Sequence, residues 1–213
     1  QKDEIEQQRD YVKKQRDQIA EQQKLITDSI LYASRIQNAV LPNPKRISEL
    51  PWESFVFYRP KNIVSGDFYW VSNLSDGRIL IAAADCTGHG VPGAFMSMLG
   101  ITLLREITSK PNVPSPAEIL AELRKMVILS LNQQTGQVDQ ADGMDMAITV
   151  IDPQTYSMEF AGAYLSCIVV RKGFFAEDDT RQNPRIYNSK GMSLIEFRGN
   201  KMPIGYHVLG ESS

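Results

Sequence analysis

The chain has 213 residues, enough for one domain with an appendage, since a single core serves roughly 100–200 residues, and its apolar fraction of 42% is enough to build that core. A formal net charge of -2 argues against a nucleic-acid binder, because grip on a phosphate backbone requires clustered positive charge. No apolar run approaches the roughly 18 residues needed to cross a bilayer, and the charged amino terminus does not read as a signal peptide.

The first residue is Gln1 rather than Met, so the sequence reads as a piece of a longer protein. The expected setting is cytoplasmic, with the cytoplasmic part of a membrane-anchored sensor left open. From Gln1 to about Leu41 there is no glycine or proline, and Gln, Glu, Lys and Arg, all good helix formers, dominate. Ile5, Val12, Ile19, Ile26, Ala33 and Val40 recur at a seven-residue interval, the mark of one seam of a coiled coil. The positions three residues later, Gln8, Gln15, Gln22, Ser29 and Ile36, are mostly polar and weaken that seam. The expectation is a parallel homodimer through residues 1–41, stabilised by what lies upstream. The alternative is a single helix packed on its own domain. Acidic and basic residues are balanced along this stretch, which speaks against a basic arm.

Leu41-Pro42-Asn43-Pro44 ends the helix, because proline lacks the amide donor and disfavours helical geometry in the residue before it. The globular domain is expected over 42–213. Segments 54–59 and 67–73 read as strands from their aromatic and β-branched residues, with Ser75-Asp76-Gly77 turning into a third at 78–84. The continuous apolar run of that third strand predicts cover on both faces. A helix starts with Pro92 in its first turn and runs to about Thr108. Ser115-Pro116-Ala117-Glu118 is a capping box that opens another, to about Leu131. Strand-like runs follow at 145–151, 157–161 and 165–171, then a polar loop at 176–184 and a last strand near 194–197. Strands, two consecutive helices and strands again predict an α+β fold, with helices on one face of a largely antiparallel sheet.

Asp67 and Asp85 fall at the margins of successive strands, and Asp85 is followed by a glycine-rich turn opening into a helix. Each alone is an ordinary turn residue. Together, with no Lys or Arg nearby in sequence, they read as a shared site for a hard cation such as Mg²⁺ or Mn²⁺. Cys86 and Cys167 form no CxxC pair and fit a reducing setting; Cys86 offers its backbone carbonyl. Gly88-His89-Gly90-Val91-Pro92-Gly93 matches G-x-G-x-x-G, but the βαβ unit and the acidic strand end that a dinucleotide site requires are missing. His89 is either a general acid or a turn residue. Asp142-Gly143-Met144-Asp145 reads as structural or substrate-side, and His207 carries no argument.

Four stretches together resemble a known family: Ile63-Val64-Ser65-Gly66-Asp67-Phe68-Tyr69-Trp70, Asp85 through Met96, Asp142-Gly143-Met144-Asp145 and Phe160-Ala161-Gly162-Ala163. They look like successive motifs of the SpoIIE branch of the PPM (protein phosphatase 2C-like) metal-dependent serine/threonine phosphatases. Tyr32 through Pro42 resembles the linker helix that precedes such domains in bacterial signalling proteins. The resemblance covers about residues 30–207.

It implies an α-β-β-α sandwich of largely antiparallel sheets flanked by helices, preceded by a long coiled-coil helix, with two Mn²⁺ or Mg²⁺ ions between the sheets. By carry-over, Asp85 bridges both ions, the Cys86 carbonyl binds one of them, and Asp67 holds that same ion. The implied substrate is phosphoserine or phosphothreonine on a regulatory protein, such as an anti-sigma-factor antagonist, with control from an upstream sensor domain through the N-terminal helix. The family also places two metal-binding aspartates near its carboxyl end, and the sequence stops at Ser213 before either. The domain is therefore expected to be C-terminally incomplete, to bind at most one ion weakly and to show little activity as given. Two other readings stand beside the enzyme: a catalytically silent phosphoprotein-binding module and a coiled-coil signalling adaptor.

Overall fold

The structure, a computed structural model, describes residues 2–112, 114–133, 142–174 and 184–206. The glycine- and proline-free segment forms a single helix, α1 (Lys2–Val40), about 58 Å long at 1.5 Å per residue. Its first four heptad residues are solvated, with Ile19 53% and Ile26 60% exposed, while Ala33 and Val40 are half-buried. Only its last turns meet the domain, where α1 packs beside the helix Val91–Thr108, and Val40 and Leu41 reach the apolar core. A short helix, α2 (Pro44–Ser48), follows, with the Asn43 side chain accepting from the Lys45 amide at 2.9 Å.

Segment 54–59, expected as a strand, has no ladder partner and is irregular. Phe55 and Phe57 are 89% and 83% exposed. Aromatic residues favour a pleated surface only when a neighbouring strand supplies one. The next expectation holds: β1 (Phe68–Asn73) and β2 (Ile79–Cys86) form an antiparallel hairpin. Its turn is closed by Leu74 N donating to Arg78 O at 2.8 Å.

Two helices then cross behind the hairpin, α3 (Val91–Thr108) and α4 (Pro116–Ser130). The capping box is formed: Ser115 Oγ accepts from the Glu118 amide, and the Glu118 carboxylate accepts from the Ser115 amide at 2.9 Å. Beyond them come β3 (Gly143–Ile151), β4 (Met158–Ala163), β5 (Cys167–Lys172), β6 (Arg185–Ser189), β7 (Met192–Phe197) and β8 (Ile204–Gly205). One sheet has the order β1-β2-β3-β4 with β8 also on β3, and a second has the order β5-β7-β6. Every strand pair in both is antiparallel. Strand β6 carries too little apolar signal to be read from sequence. It is made by a two-residue turn, Lys190-Gly191, in which both residues have positive φ, the geometry that matches strand twist.

The core lies between the larger sheet and α3/α4. Leu80, Ala82, Ala84 and Cys86 of β2 and Met144, Met146, Ile148 and Val150 of β3 alternate inward against Ile101, Leu104, Ile119 and Leu123. Each fully buried Leu or Ile contributes about 1.5–3 kcal/mol by leaving water. The apolar run of β2 was expected to be covered on both faces. Among the described residues it is covered on one, with Ala83 and Asp85 exposed on the other. The run looks continuous because its outward positions include alanine, which is small enough to tolerate either environment.

Candidate metal centre

Strand pairing determines where the carboxylates meet. Asp85 of β2 pairs directly with Asp145 of β3. In the β1–β2 ladder Phe68 pairs with Ala84, so the register carried one residue further sets Asp67 beside Asp85. Because alternate residues of a strand point to opposite faces, the row Phe68, Ala84, Met146 faces the helices. The next row, Asp67, Asp85, Asp145, faces the open side.

The electrostatics follow from that row. The Asp67 carboxyl is held above the usual carboxylate range, first by partial burial and then by the Asp85 charge and carboxyl within hydrogen-bonding reach. Asp145 is raised by burial and then by Asp85. The Cys86 thiol is pushed up to about 12 by burial and by the charges of Asp85 and Asp67, so it stays protonated and only its carbonyl is a useful donor. Like charges directly opposite each other destabilise a ladder. A divalent cation against the row would reverse that repulsion, and carboxylate and carbonyl oxygens suit Mg²⁺ or Mn²⁺. Among the described residues, however, no three His, Cys, Asp or Glu side chains close into a group that could hold an ion. The row offers an open half-site rather than a cage.

The turn after β2 packs against this row without side chains in between. A Cβ on Gly66 would lie 3.0 Å from Gly88 O and 3.3 Å from Cys86 O; one on Gly93 would lie 2.7 Å from Gly88 O and 3.1 Å from Gly66 Cα. Backbone therefore meets backbone at Ser65-Gly66-Asp67, Gly88 and the first turn of α3. The Cys86 carbonyl faces the same gap.

Of the residues expected from sequence, Asp67, Asp85 and the Cys86 carbonyl come together. His89 sits exposed at the tip of the turn between two glycines of positive φ, and makes no hydrogen bond among the described residues. The dinucleotide reading is dismissed on topology, since β2 and β3 run antiparallel. Asp142 is occupied structurally: Thr87 Oγ1 donates to its carboxylate at 3.1 Å, and Gln133 Nε2 to its carbonyl at 2.7 Å. His207 lies outside the described residues. The sequence reading placed Asp145 with Asp142 rather than in the acidic row. The available signal was the alternation of Met144, Met146, Ile148 and Val150, which turns Asp145 to the face of Asp85. It also missed Gln37, a buried amide in the last turns of α1.

The family model for stage II sporulation protein E, SpoIIE, matches residues 75–191, more than half of the chain. The chain belongs to the SpoIIE family. That family is a branch of the PPM-type phosphatases. Among solved structures, the SiaA-PP2C domain of Pseudomonas aeruginosa is similar at 30% identity with a TM-score of 0.66, over 86% of this chain and 64% of that one. The SpoIIE-family chain described here thus spans just under two thirds of that structure's length. No curated protein matches it.

Proposed function

We propose that this SpoIIE-family domain hydrolyses phosphoserine or phosphothreonine on a regulatory protein, an anti-sigma-factor-antagonist-like partner, under the control of its N-terminal helix. The observation that carries the reading is the acidic row Asp67–Asp85–Asp145 lying against the glycine turn at the start of α3. Asp67, Asp85 and the Cys86 carbonyl would hold one Mn²⁺ or Mg²⁺. Asp85 would also serve a second ion, with Asp145, its direct partner across the ladder, as a further carboxylate. Bound there, the ions supply a water of lowered pKa and neutralise charge on the phosphoryl oxygens.

The chain's own part is placement. The β1–β2–β3 ladder holds the carboxylates in one row, and the glycines let backbone approach where a side chain would intrude. The N-terminal end of α3, where Pro92 has no amide and Ala94 N already donates to Gly90 O, would favour an anionic phosphoryl group through its remaining amides and its dipole. His89, exposed at the tip of the turn, would hand a proton to the leaving serine or threonine oxygen. Residues 1–41 would associate two copies in parallel, so that an upstream sensor could act through paired linker helices on residues 42–213. Among the described residues no helix is long and apolar enough to cross a membrane.

The test is Mn²⁺-dependent release of phosphate from a phosphoserine peptide by the full-length protein, with Asp85→Asn as its counterpart. Loss of turnover with an unchanged circular dichroism spectrum supports the assignment. Near-wild-type turnover in the variant refutes it. The second reading, a catalytically silent phosphoprotein-binding module, is favoured by the lack of a closed donor group among the described residues. It predicts capture of the phosphopeptide without hydrolysis at any Mn²⁺ concentration.

A further inference from the structure

Gln37 is 5% exposed, in a helix whose other residues from Lys2 onward are solvated or half-buried. A buried primary amide is tolerated only when its donors and acceptor are satisfied. Here they are satisfied by a single backbone site and its neighbour. Gln37 Oε1 accepts from the Ser65 amide at 3.0 Å, and Gln37 Nε2 donates to the Ser65 carbonyl at 2.6 Å. The two bonds close a ring of the kind that one strand makes with another. A backbone N–H can only donate, so the orientation of the amide is determined. The second Nε2 proton goes to Ser97 Oγ of α3 at 2.8 Å, and that hydroxyl in turn lies 2.9 Å from Ala94 O and 3.1 Å from the Ser65 carbonyl, so α3 also reaches Ser65 directly. Ser97 is itself fully buried.

These partners are the two walls of the acidic site. Ser65 is joined through Gly66 to Asp67, and Ser97 lies one helical turn beyond Gly93, whose Cα abuts Gly66. On the far side of the same segment, Tyr58 Oη donates to the Asp67 carbonyl at 3.1 Å. The Asp67 carboxyl meets that of Asp85, a like group that does not anchor it, so its position follows its backbone. Whatever holds Ser65 therefore sets how far Asp67 stands from Asp85.

We propose that Gln37 is a positioning residue for Asp67: by tying Ser65 to the last turns of α1 and, through Ser97, to α3, it fixes the segment that carries the metal-facing carboxylate. The proposal rests on the metal reading above only for its functional consequence. No other residue can replace the clamp. Asn is one methylene too short to reach both Ser65 groups, Glu keeps the acceptor but turns a charge toward the Ser65 carbonyl, and Met keeps the length without either bond.

Three variants of the full chain decide it: Gln37→Met, Ser97→Ala and, as a control at the same helix end, Val40→Ala, which removes core packing without touching the clamp. Hydrogen exchange read by mass spectrometry follows the 63–68 and 86–94 segments, and electron paramagnetic resonance of free Mn²⁺ gives the metal affinity. Gln37→Met is expected to speed exchange of the 63–68 amides on the order of tenfold, the worth of a hydrogen bond or two. It should also weaken Mn²⁺ binding on the order of tenfold, as loss of a ligand-orienting partner does. Ser97→Ala removes the direct Ser97–Ser65 contact and leaves the two Gln37–Ser65 bonds, so it should show a smaller shift in both. Val40→Ala should lower the melting temperature and leave Mn²⁺ affinity unchanged. Unchanged exchange at 63–68 in Gln37→Met overturns the proposal, and so does an equal loss of Mn²⁺ affinity in Val40→Ala at matched destabilisation. If Gln37→Met does not fold, Gln37→Glu, which keeps the acceptor and loses both donated bonds, is compared with Val40→Ala in its place. Absence of Mn²⁺ binding by the unaltered chain would remove the metal reading, and the exchange arm would still decide whether Gln37 holds the segment.

Discussion

Replacing Asp145 by Asn should stabilise the metal-free protein and weaken its response to metal. Asp145 pairs directly with Asp85, and Asp67 extends the same row. Like charges directly opposite on an antiparallel ladder cost about 0.2–1 kcal/mol, and Asn keeps the shape while removing the charge. For a chain of this size 1 kcal/mol is worth about 2–4 °C in melting temperature, so a rise of up to that amount is expected at pH 7 in a chelator. The pH dependence has a definite sign. Asp67 and Asp145 are both raised above the ordinary 3.8, chiefly by burial and then by Asp85, so the native state binds these protons more tightly than the unfolded chain. Their contribution to stability is then most favourable below 3.8 and is lost as pH rises through the raised values. Asp145→Asn should flatten that decline by removing one of the two groups. Ligand linkage adds about 2.7 kcal/mol at a hundredfold excess of metal over its dissociation constant, and this gain should be larger in the wild type than in the variant. Melting curves from about pH 3 to 8, with chelator and with Mn²⁺, make the measurement. A lower metal-free melting temperature in the variant at pH 7, or an identical Mn²⁺-induced rise in both proteins, would refute the acidic row as a cation site.

Gly93→Ala sets a helix-propensity gain of about 1 kcal/mol against overpacking that typically costs 1–3 kcal/mol. With the new Cβ 2.7 Å from Gly88 O, a backbone atom that cannot rotate away, overpacking should win; stabilisation in urea unfolding would show that the turn yields. His89→Ala should slow phosphopeptide hydrolysis by roughly 10²–10⁴-fold if the imidazole is the proton donor. A rate unchanged across the pH range returns it to a turn residue. Ile19→Asp with Ile26→Asp places a charge in each of two seam layers and should abolish association in sedimentation experiments. Equal association of variant and wild type would place the dimer contact elsewhere.

The sequence by itself determined the elements whose signals are local. Absence of glycine and proline made α1, Pro42 and Pro44 ended it, the Ser115/Glu118 pair capped α4, and Ser75-Asp76-Gly77 turned the first hairpin. Each is a property of a few neighbouring residues, so it is present before the chain folds. Motif order carried the family and the expectation that Asp67 and Asp85 meet. Tertiary structure decided what depends on partners far away in the chain. Phe55 and Phe57 had strand chemistry and no strand to pair with, whereas polar Arg185–Ser189 gained one in β7. Asp145 became part of the acidic row only through its register with Asp85, because a shift of one residue would have turned it into the core. Gln37 looked like any other glutamine of a solvated helix. Its role came from three hydrogen bonds to groups that folding brings to it, and a side chain's burial is a property of its surroundings that its own identity does not contain.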